Sequence, residues 1–578
     1  MTAIIDVEAT HLKATEAKLR YFGGIDVKTG SIVMYDHTRK EEIGDYLKQH
    51  KVLIGFNIKG YDKKVLENYG IDFKYKVIFD LWEALAPKGQ DGFGKFNKDR
   101  LKDINPELKF KNYKLKTIVQ TLNIDSIGKG NIDYSVFLKE SWTQEETKEI
   151  ELYLKQDLYI TKKLFDWYVG IFKPLEQFLS KEEVTKFKHL SCTSGVLAYK
   201  IICHIAKIKP EWSDSKERTG RIEGGHHIHP RWEKVRGNIV GRDFVSHYPT
   251  ILISGNLFSP TESEGWKGSN YFDIKGTYSI IKQGKIELAL KQILEARLEA
   301  KRKGDKATAT ALKVPLNSVY GITGNPAYKN LYNPTTAADC TSIGRTLLKK
   351  CAKTLDVAGF VCLYGFTDSI YIGIPKQLNE TDLDLVLDYF IKDSKKYLPF
   401  PIDSFNIATD KKIKFMWFVE RKDNNYLWVD SNNKTHIKGC LFDVNCPKSV
   451  LRVFDNYISS KICKELDVNF TETELTKELE NVLSEHPELS AEDYSVKDIS
   501  TYKVTTSLQY QISERYGSGV HALIPNNKNI GVGRNKDLKY CSIKEFKENK
   551  LGVSDISIFR MKQYLKPFHT TQKEVLEL

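Results

Sequence analysis

Apolar and polar positions along this chain place its elements before any chemistry is considered. Residues 3–9, AIIDVEA, start as an apolar strand and end with Asp6 and Glu8, which a two-residue period puts on one face. Val52 to Phe56 form a second apolar strand that runs into Asn57 and then Asp62. A helix is expected over residues 143–168, opened by Thr143 and Glu146 in capping-box spacing, with Tyr153 and Asp157 four apart on one face. GNIVGRDF predicts a strand ending near Asp243, followed by a small-residue turn and Tyr248-Pro249. Leu290, Ile293, Leu294 and Leu298 recur at helical spacing, and Arg297 and Lys301 share a face of that helix. Gly304-Asp305 breaks it, and a second helical segment carries Lys313, Asn317 and Tyr320. Pro315 removes one hydrogen bond from that segment, worth about 3 kcal/mol in an ordinary helix interior, and is expected to kink it. VCLYGFTDSIYIGIP (361–375) alternates as a hairpin with YGFTDS at its tip. The tip alone reads as an ordinary polar turn or as half of a metal site with a missing partner.

Composition narrows the class. The 578 residues allow several domains, and 41% hydrophobic with 28% charged residues is ordinary for a globular protein. No apolar run nears the roughly 18 residues of a membrane span, and MTAIIDVEATH lacks the pattern of a signal peptide, so a cytoplasmic protein is expected. Lys and Arg number 88 against 75 Asp and Glu, an excess that suits a polyanionic partner as well as simple solubility. The nine cysteines form no CxxC pair, which fits free thiols.

Acidic stations on strand, loop and helix suit a two-metal phosphodiesterase, where hard oxygen ligands hold paired divalent cations. A tyrosine hydroxyl beside the last aspartate can orient the attacking water. DVE, then Asn-x3-Tyr-Asp, then Tyr-x3-Asp resembles the three exonuclease motifs of proofreading DNA polymerases of the DEDDy group. The resemblance implies metal ligation by Asp6, Glu8, Asp62 and Asp157, water orientation by Tyr153, and DNA contacts at Asn57 and Lys116.

In the middle of the chain, Asp-x2-Ser-x-Tyr-Pro, Lys-x3-Asn-Ser-x-Tyr-Gly and Tyr-Gly-x-Thr-Asp-Ser resemble motifs A, B and C of family B DNA polymerases. The implied fold is mixed α/β, an RNase H-like exonuclease followed by a right-hand polymerase. The implied ranges are exonuclease 1–170, linker and start of palm 171–240, palm 241–286, fingers 287–325, palm 326–440, and thumb with C-terminal region 441–578. The resemblance assigns Asp243, Asp368 and the Phe244 carbonyl to two Mg²⁺ ions, with Mn²⁺ as a substitute. It assigns Arg297, Lys301 and Lys313 to the incoming triphosphate, Tyr248 to exclusion of a 2′-hydroxyl, and Asn317 and Tyr320 to the nascent base pair. Gly224, Gly225, Tyr426 and Lys438 are the implied DNA contacts beyond the catalytic motifs. Primer–template DNA and dNTPs are the implied partners of a monomer, with a processivity factor or single-strand-binding protein as accessory.

Several positions depart from the family pattern. Phe366 stands where an Asp is usual, Ile222 where the linker usually has Tyr, and Asn424 where a Lys-x-Tyr motif would have Lys. Activity is expected to survive Phe366, because Asp368 matches the retained metal ligand. The gaps from Asp243 to Lys313 and from Lys313 to Asp368, 70 and 55 residues, leave no room for the insertions of protein-primed relatives. A compact polymerase of viral origin, extending ordinary nucleic-acid primers, is the expectation. Two alternatives stand beside it: an exonuclease with a decayed polymerase half, and a non-catalytic DNA-binding scaffold. HHIH at 226–229 suits backbone contact to DNA better than a metal, and GVGRNKD at 531–537 is a basic loop or a solvated turn.

Overall fold

Strand β1 (Thr2–Ala9) is central in a five-stranded sheet, and most of its residues are buried. Antiparallel β2 (Leu19–Asp26) and β3 (Ile32–Asp36) lie to one side, and parallel β4 (Val52–Gly55) and β5 (Val77–Asp80) to the other. Ala3, Ile5, Val7 and Ala9 face one way, into a core with Ile43 and Leu47 of helix α1 (Lys40–Gln49) and Val65 and Leu66 of α2 (Asp62–Asn68). Ile4 faces the other way, as do Asp6 and Glu8 by alternation. There α3 (Leu115–Thr121) and the long α4 (Gln144–Phe172) cover the sheet. Thr143 and Glu146 form the expected capping box at the start of α4. Leu154 and Leu158 of α4 are fully buried, each stabilising the packing by roughly 1.5–3 kcal/mol. Gly23, opposite Asp6 in the sheet, permits this approach: an added Cβ would lie 2.8 Å from Leu158 Cδ1 and 2.9 Å from Leu154.

The computed structural model describes residues 1–85, 114–124, 132–190, 192–215, 222–258, 283–419, 424–439, 446, 448–466, 469–486, 495–496, 521–525, 538–542, 565–568 and 575–578. The GVGRNKD segment lies outside them. No helix among the described residues is long and apolar enough to cross a membrane.

A second sheet has the order β12-β11-β10-β7-β9-β8-β6. Its strands are β6 (His227–Ile228), β7 (Lys234–Phe244), β8 (Val361–Phe366), β9 (Ser369–Ile374), β10 (Ile407–Phe418), β11 (Tyr426–Asp430) and β12 (Thr435–Lys438). Helix α5 (Ser194–Ile205) precedes it, and four helices interrupt it: α6 (His247–Gly255), α7 (Lys285–Arg302), α8 (Lys306–Thr323) and α9 (Pro334–Val357). A fifth, α10 (Glu380–Lys395), packs beside α9. Val240, Ile370 and Ile372 share one core with Leu290, Leu312 and Leu347 of these helices, and that core continues to Leu154 in the first unit. The hairpin β8–β9 forms where alternation places it. Gly304, at φ +72, makes the tight turn between α7 and α8, and Asp305 caps α8 by accepting the Thr308 N–H at 3.0 Å. Helix α8 runs from Lys306 through Pro315 to Thr323. Burial of Val314, Pro315 and Leu316 offsets the missing hydrogen bond.

Candidate active sites

The first unit gathers one acidic cluster. The carboxylates of Asp6, Glu8 and Asp157 have ligand atoms within 4.8 Å of one another. Strand parity supplies the first two. Helix α4 supplies Asp157 because Leu154 and Leu158, beside it, seat on Gly23. Asp62, the first residue of α2, accepts the Val7 N–H at 3.0 Å and adjoins Asp6. Burial pushes its carboxyl up to about 7, against the pull of the Val7 bond. Four carboxylates this close resist ionising together unless cations join them. Tyr153 lies on the same face of α4 as Asp157, and burial, then the Asp157 charge, raises its phenol above the ordinary value.

Other residues at this cluster were not legible in the motifs. Tyr134, on a 3₁₀ turn, places its hydroxyl 3.2 Å from that of Tyr153. Asp80 holds the loop after β4 by accepting the backbone N–H groups of Asn57 and Lys59, both at 3.0 Å. Asn57 is thereby held at φ +64. A lone Tyr and a lone Asp carry no spacing signal. Lys116 stands exposed on α3, with no hydrogen bond or ion pair to the four carboxylates among the described residues.

The second sheet and its helices enclose a cleft of 580 Å³. Asp243, Phe244, Tyr248, Arg297, Lys301, Lys313, Asn317, Tyr320 and Asp368 all line it. Register explains the floor: Asp243 at the end of β7 pairs with Ser369, and the Phe244 N–H donates to the Asp368 carbonyl at 2.9 Å. Burial, then the neighbouring Asp243, raises the Asp368 carboxyl, and burial with Asp410 raises that of Asp243. Arg297 is 9% exposed and donates to the Ser246 hydroxyl at 2.6 Å. Lys301 is lowered by burial and by Arg297 and Lys313 beside it, so three cations crowd one wall. Tyr248 and Tyr320 pack with ring centroids 4.9 Å apart. His247, buried beneath them, is pushed down to about 4 and stays neutral.

Asp410 is a third carboxylate of this cleft that the sequence did not announce. The β7–β10 register slips between Thr409 and Lys411, so Asp410 is the bulged residue, and a bulge re-aims its side chain. Its carboxylate pairs with Lys411. Lys438, on β12, is lowered by burial and by Lys411 yet feels Asp243, Asp368 and Asp410, which brings it to the cleft. Tyr426 is fully buried and its hydroxyl meets that of Tyr371 at 2.9 Å, so this tyrosine supports Lys438, at 5.7 Å over its ring, rather than facing the cleft itself. Gly225 is pressed against Thr367 and Gly224 is open.

Comparison with known proteins follows this geometry. Residues 199–403 match the family model DNA polymerase family B. A DNA polymerase of Archaeoglobus fulgidus is 25% identical over 455 residues, covering 72% of this chain and 54% of its own. The DNA polymerase delta catalytic subunit of Plasmodium falciparum is 24% identical over 405 residues, covering 60% of this chain and 36% of its own. The chain thus spans about half, or less, of the length of these relatives. Their sources lend no support to a viral origin. The fold is similar to that of the family B DNA polymerase from the hyperthermophilic archaeon Pyrobaculum calidifontis, with TM-score 0.54 and 14% identity over 99% of this chain and 78% of that one. Residues 199–403 are thus similar to DNA polymerase family B, and the longer matches are to DNA polymerases.

Proposed function

We propose that this chain extends a primer 3′-hydroxyl on a DNA template with dNTPs, and that its first unit removes 3′-terminal nucleotides as a proofreading exonuclease. The observation that carries the reading is convergence: residues from β7, α6, α7, α8 and the β8–β9 turn, far apart in sequence, line one cleft. A cleft with carboxylates on its floor and three cations on one wall is complementary to a nucleoside triphosphate.

The donor sets fit hard divalent cations, since every candidate ligand is oxygen. Asp243, Asp368 and the Phe244 carbonyl would hold them in the cleft, and Asp6, Glu8, Asp62 and Asp157 in the cluster. Two bound Mg²⁺ or Mn²⁺ ions supply Lewis-acid stabilisation of charge on the phosphoryl oxygens. Lys301, Lys313 and Arg297 bind the triphosphate and hold it in line. Tyr248, packed on Tyr320, forms a wall under the sugar that rejects a 2′-hydroxyl, while Asn317 borders the base pair. Asp410 adds negative charge beside Asp243. In the cluster, Tyr153 orients the attacking water. The corresponding ranges are exonuclease 1–170, palm 241–286 and 326–440 around fingers 287–325, and thumb within 441–578.

Phe366 favours a second reading, an exonuclease whose polymerase half has decayed. Primer extension on a primed single strand with Mg²⁺ and dNTPs separates the two. An Asp6→Ala background prevents degradation from masking synthesis, and Asp368→Ala serves as control. Extension that disappears in the control is expected. No extension in Mg²⁺ or Mn²⁺, while the unmodified protein still trims 3′ ends, would establish the decayed reading.

A further inference from the structure

The turn that carries Asp368 is strained. Thr367, a β-branched residue, sits at φ +58, a left-handed conformation that such side chains rarely adopt. Strain of this kind persists only where the surroundings over-determine it. Here the surroundings are the segment 223–229, immediately before β7. The Thr367 N–H donates to the His226 carbonyl at 3.0 Å. Gly225 lies so close that a Cβ there would come within 2.5 Å of Thr367 Oγ1. His227 pairs with Phe366 across β6 and β8, and their rings stack with centroids 4.1 Å apart and planes 27° apart. The far end of the segment is anchored in turn. Arg345 of α9 donates to the carbonyls of Glu223 and Gly224, at 3.0 and 2.9 Å, and pairs with the Glu223 carboxylate at 3.1 Å.

We infer that segment 223–229 is a strap that fixes the catalytic turn, fastened by the stack of His227 on Phe366, and that these two are positioning residues for Asp368. The inference rests on the synthetic reading of the cleft and deepens it. Phe366 then acquires a purpose. An acid at 366 would be drawn towards the cations of the cleft and would offer the imidazole no ring to stack on. The aromatic side chain gives up a carboxylate and gains a turn held in one place, which a site with fewer fixed ligands needs. The two rings act on Asp368 through packing, since neither is among the residues that line the cleft.

The test compares His227→Ala, His227→Phe and Phe366→Leu with the parent, synthesis being assayed in the Asp6→Ala background. Two readouts are taken: hydrogen exchange of the peptide containing Thr367 without metal, and kcat against KM for dNTP. His227→Ala and Phe366→Leu are expected to speed that exchange and to lower kcat about tenfold with KM nearly unchanged. His227→Phe, which keeps a stacked ring, is expected to restore both. Single-strand exonuclease activity of the same variants with Asp6 intact reports on folding. Parent-like exchange and kcat in His227→Ala, or no rescue by His227→Phe, would overturn the strap. Failure of the parent to synthesise would instead remove the polymerase reading, while the exchange measurement would still decide whether the strap exists.

Discussion

The two acidic sites solve one electrostatic problem in opposite ways. The cluster in the first unit packs Asp6, Glu8 and Asp157 within 4.8 Å of one another, with Asp62 beside them and pushed up to about 7. Burial is the main cause of that rise, and the neighbouring Asp80 carboxylate adds to it. The cleft of the second sheet instead spreads Asp243, Asp368 and Asp410 along a floor and sets Arg297, Lys301 and Lys313 on the wall, with Lys411 and Lys438 near the floor. On the proposed function, substrate charge accounts for the difference. A cleft that takes a triphosphate must bind a heavily charged ligand, whereas a cluster that cuts one phosphodiester needs little beyond its cations and an oriented water.

The comparison breaks most sharply by deleting one carboxylate at a time. Asp368→Ala is expected to lower synthesis on the order of 10³-fold while leaving single-strand degradation intact. Asp6→Ala is expected to do the reverse, as measured by primer extension and 3′ trimming of the same labelled strand. Equal losses of both activities in either variant would mean the sites are not separate. Gly23→Ala should act next in size. Its Cβ would press Leu154 and Leu158 away from β1, at about 1–3 kcal/mol of stability, and would move Asp157 and Tyr153 from Asp6. Exonuclease activity should therefore fall further than synthesis; a uniform decline would point to general unfolding.

A smaller effect is expected from Tyr134→Phe, which keeps the ring and removes the hydroxyl 3.2 Å from that of Tyr153. Single-strand trimming should fall several-fold in kcat, with synthesis unchanged, if that contact orients Tyr153. The smallest functional change should come from Asp26, buried away from the cluster and bonded to His50 at 2.9 Å. Hydrogen bonds from Thr29 and His50 hold its carboxyl down to about 2. A carboxyl held below its unfolded value of about 3.9 adds stability above that pH and loses it as the pH falls towards 2. Asp26→Asn should remove that dependence in melting curves between pH 5 and 3, and should cost roughly 1–3 kcal/mol at neutral pH with both activities retained.

Much of this was legible along the chain. Strand parity put Asp6 and Glu8 together, helical spacing joined Tyr153 to Asp157, and the YGFTDS hairpin formed where alternation placed it. The residues expected to hold metal and dNTP in the second unit, from Asp243 to Asp368, all line one cleft. Tyr426 is buried beneath Lys438, because side-chain direction does not follow from a motif. Pro315 lies inside α8, which continues through it with Val314 and Leu316 buried on either side.

The sequence by itself determined the local elements, the identity of the carboxylates and cations, and which of them share a strand or helix face, because these depend on residues a few positions apart. Only the tertiary structure decided that Tyr134 meets Tyr153, that a bulge turns Asp410 into the cleft, and that His227 stacks on Phe366. Those contacts depend on sheet register and on how closely a helix can approach, which are properties of the packed molecule and of no single segment.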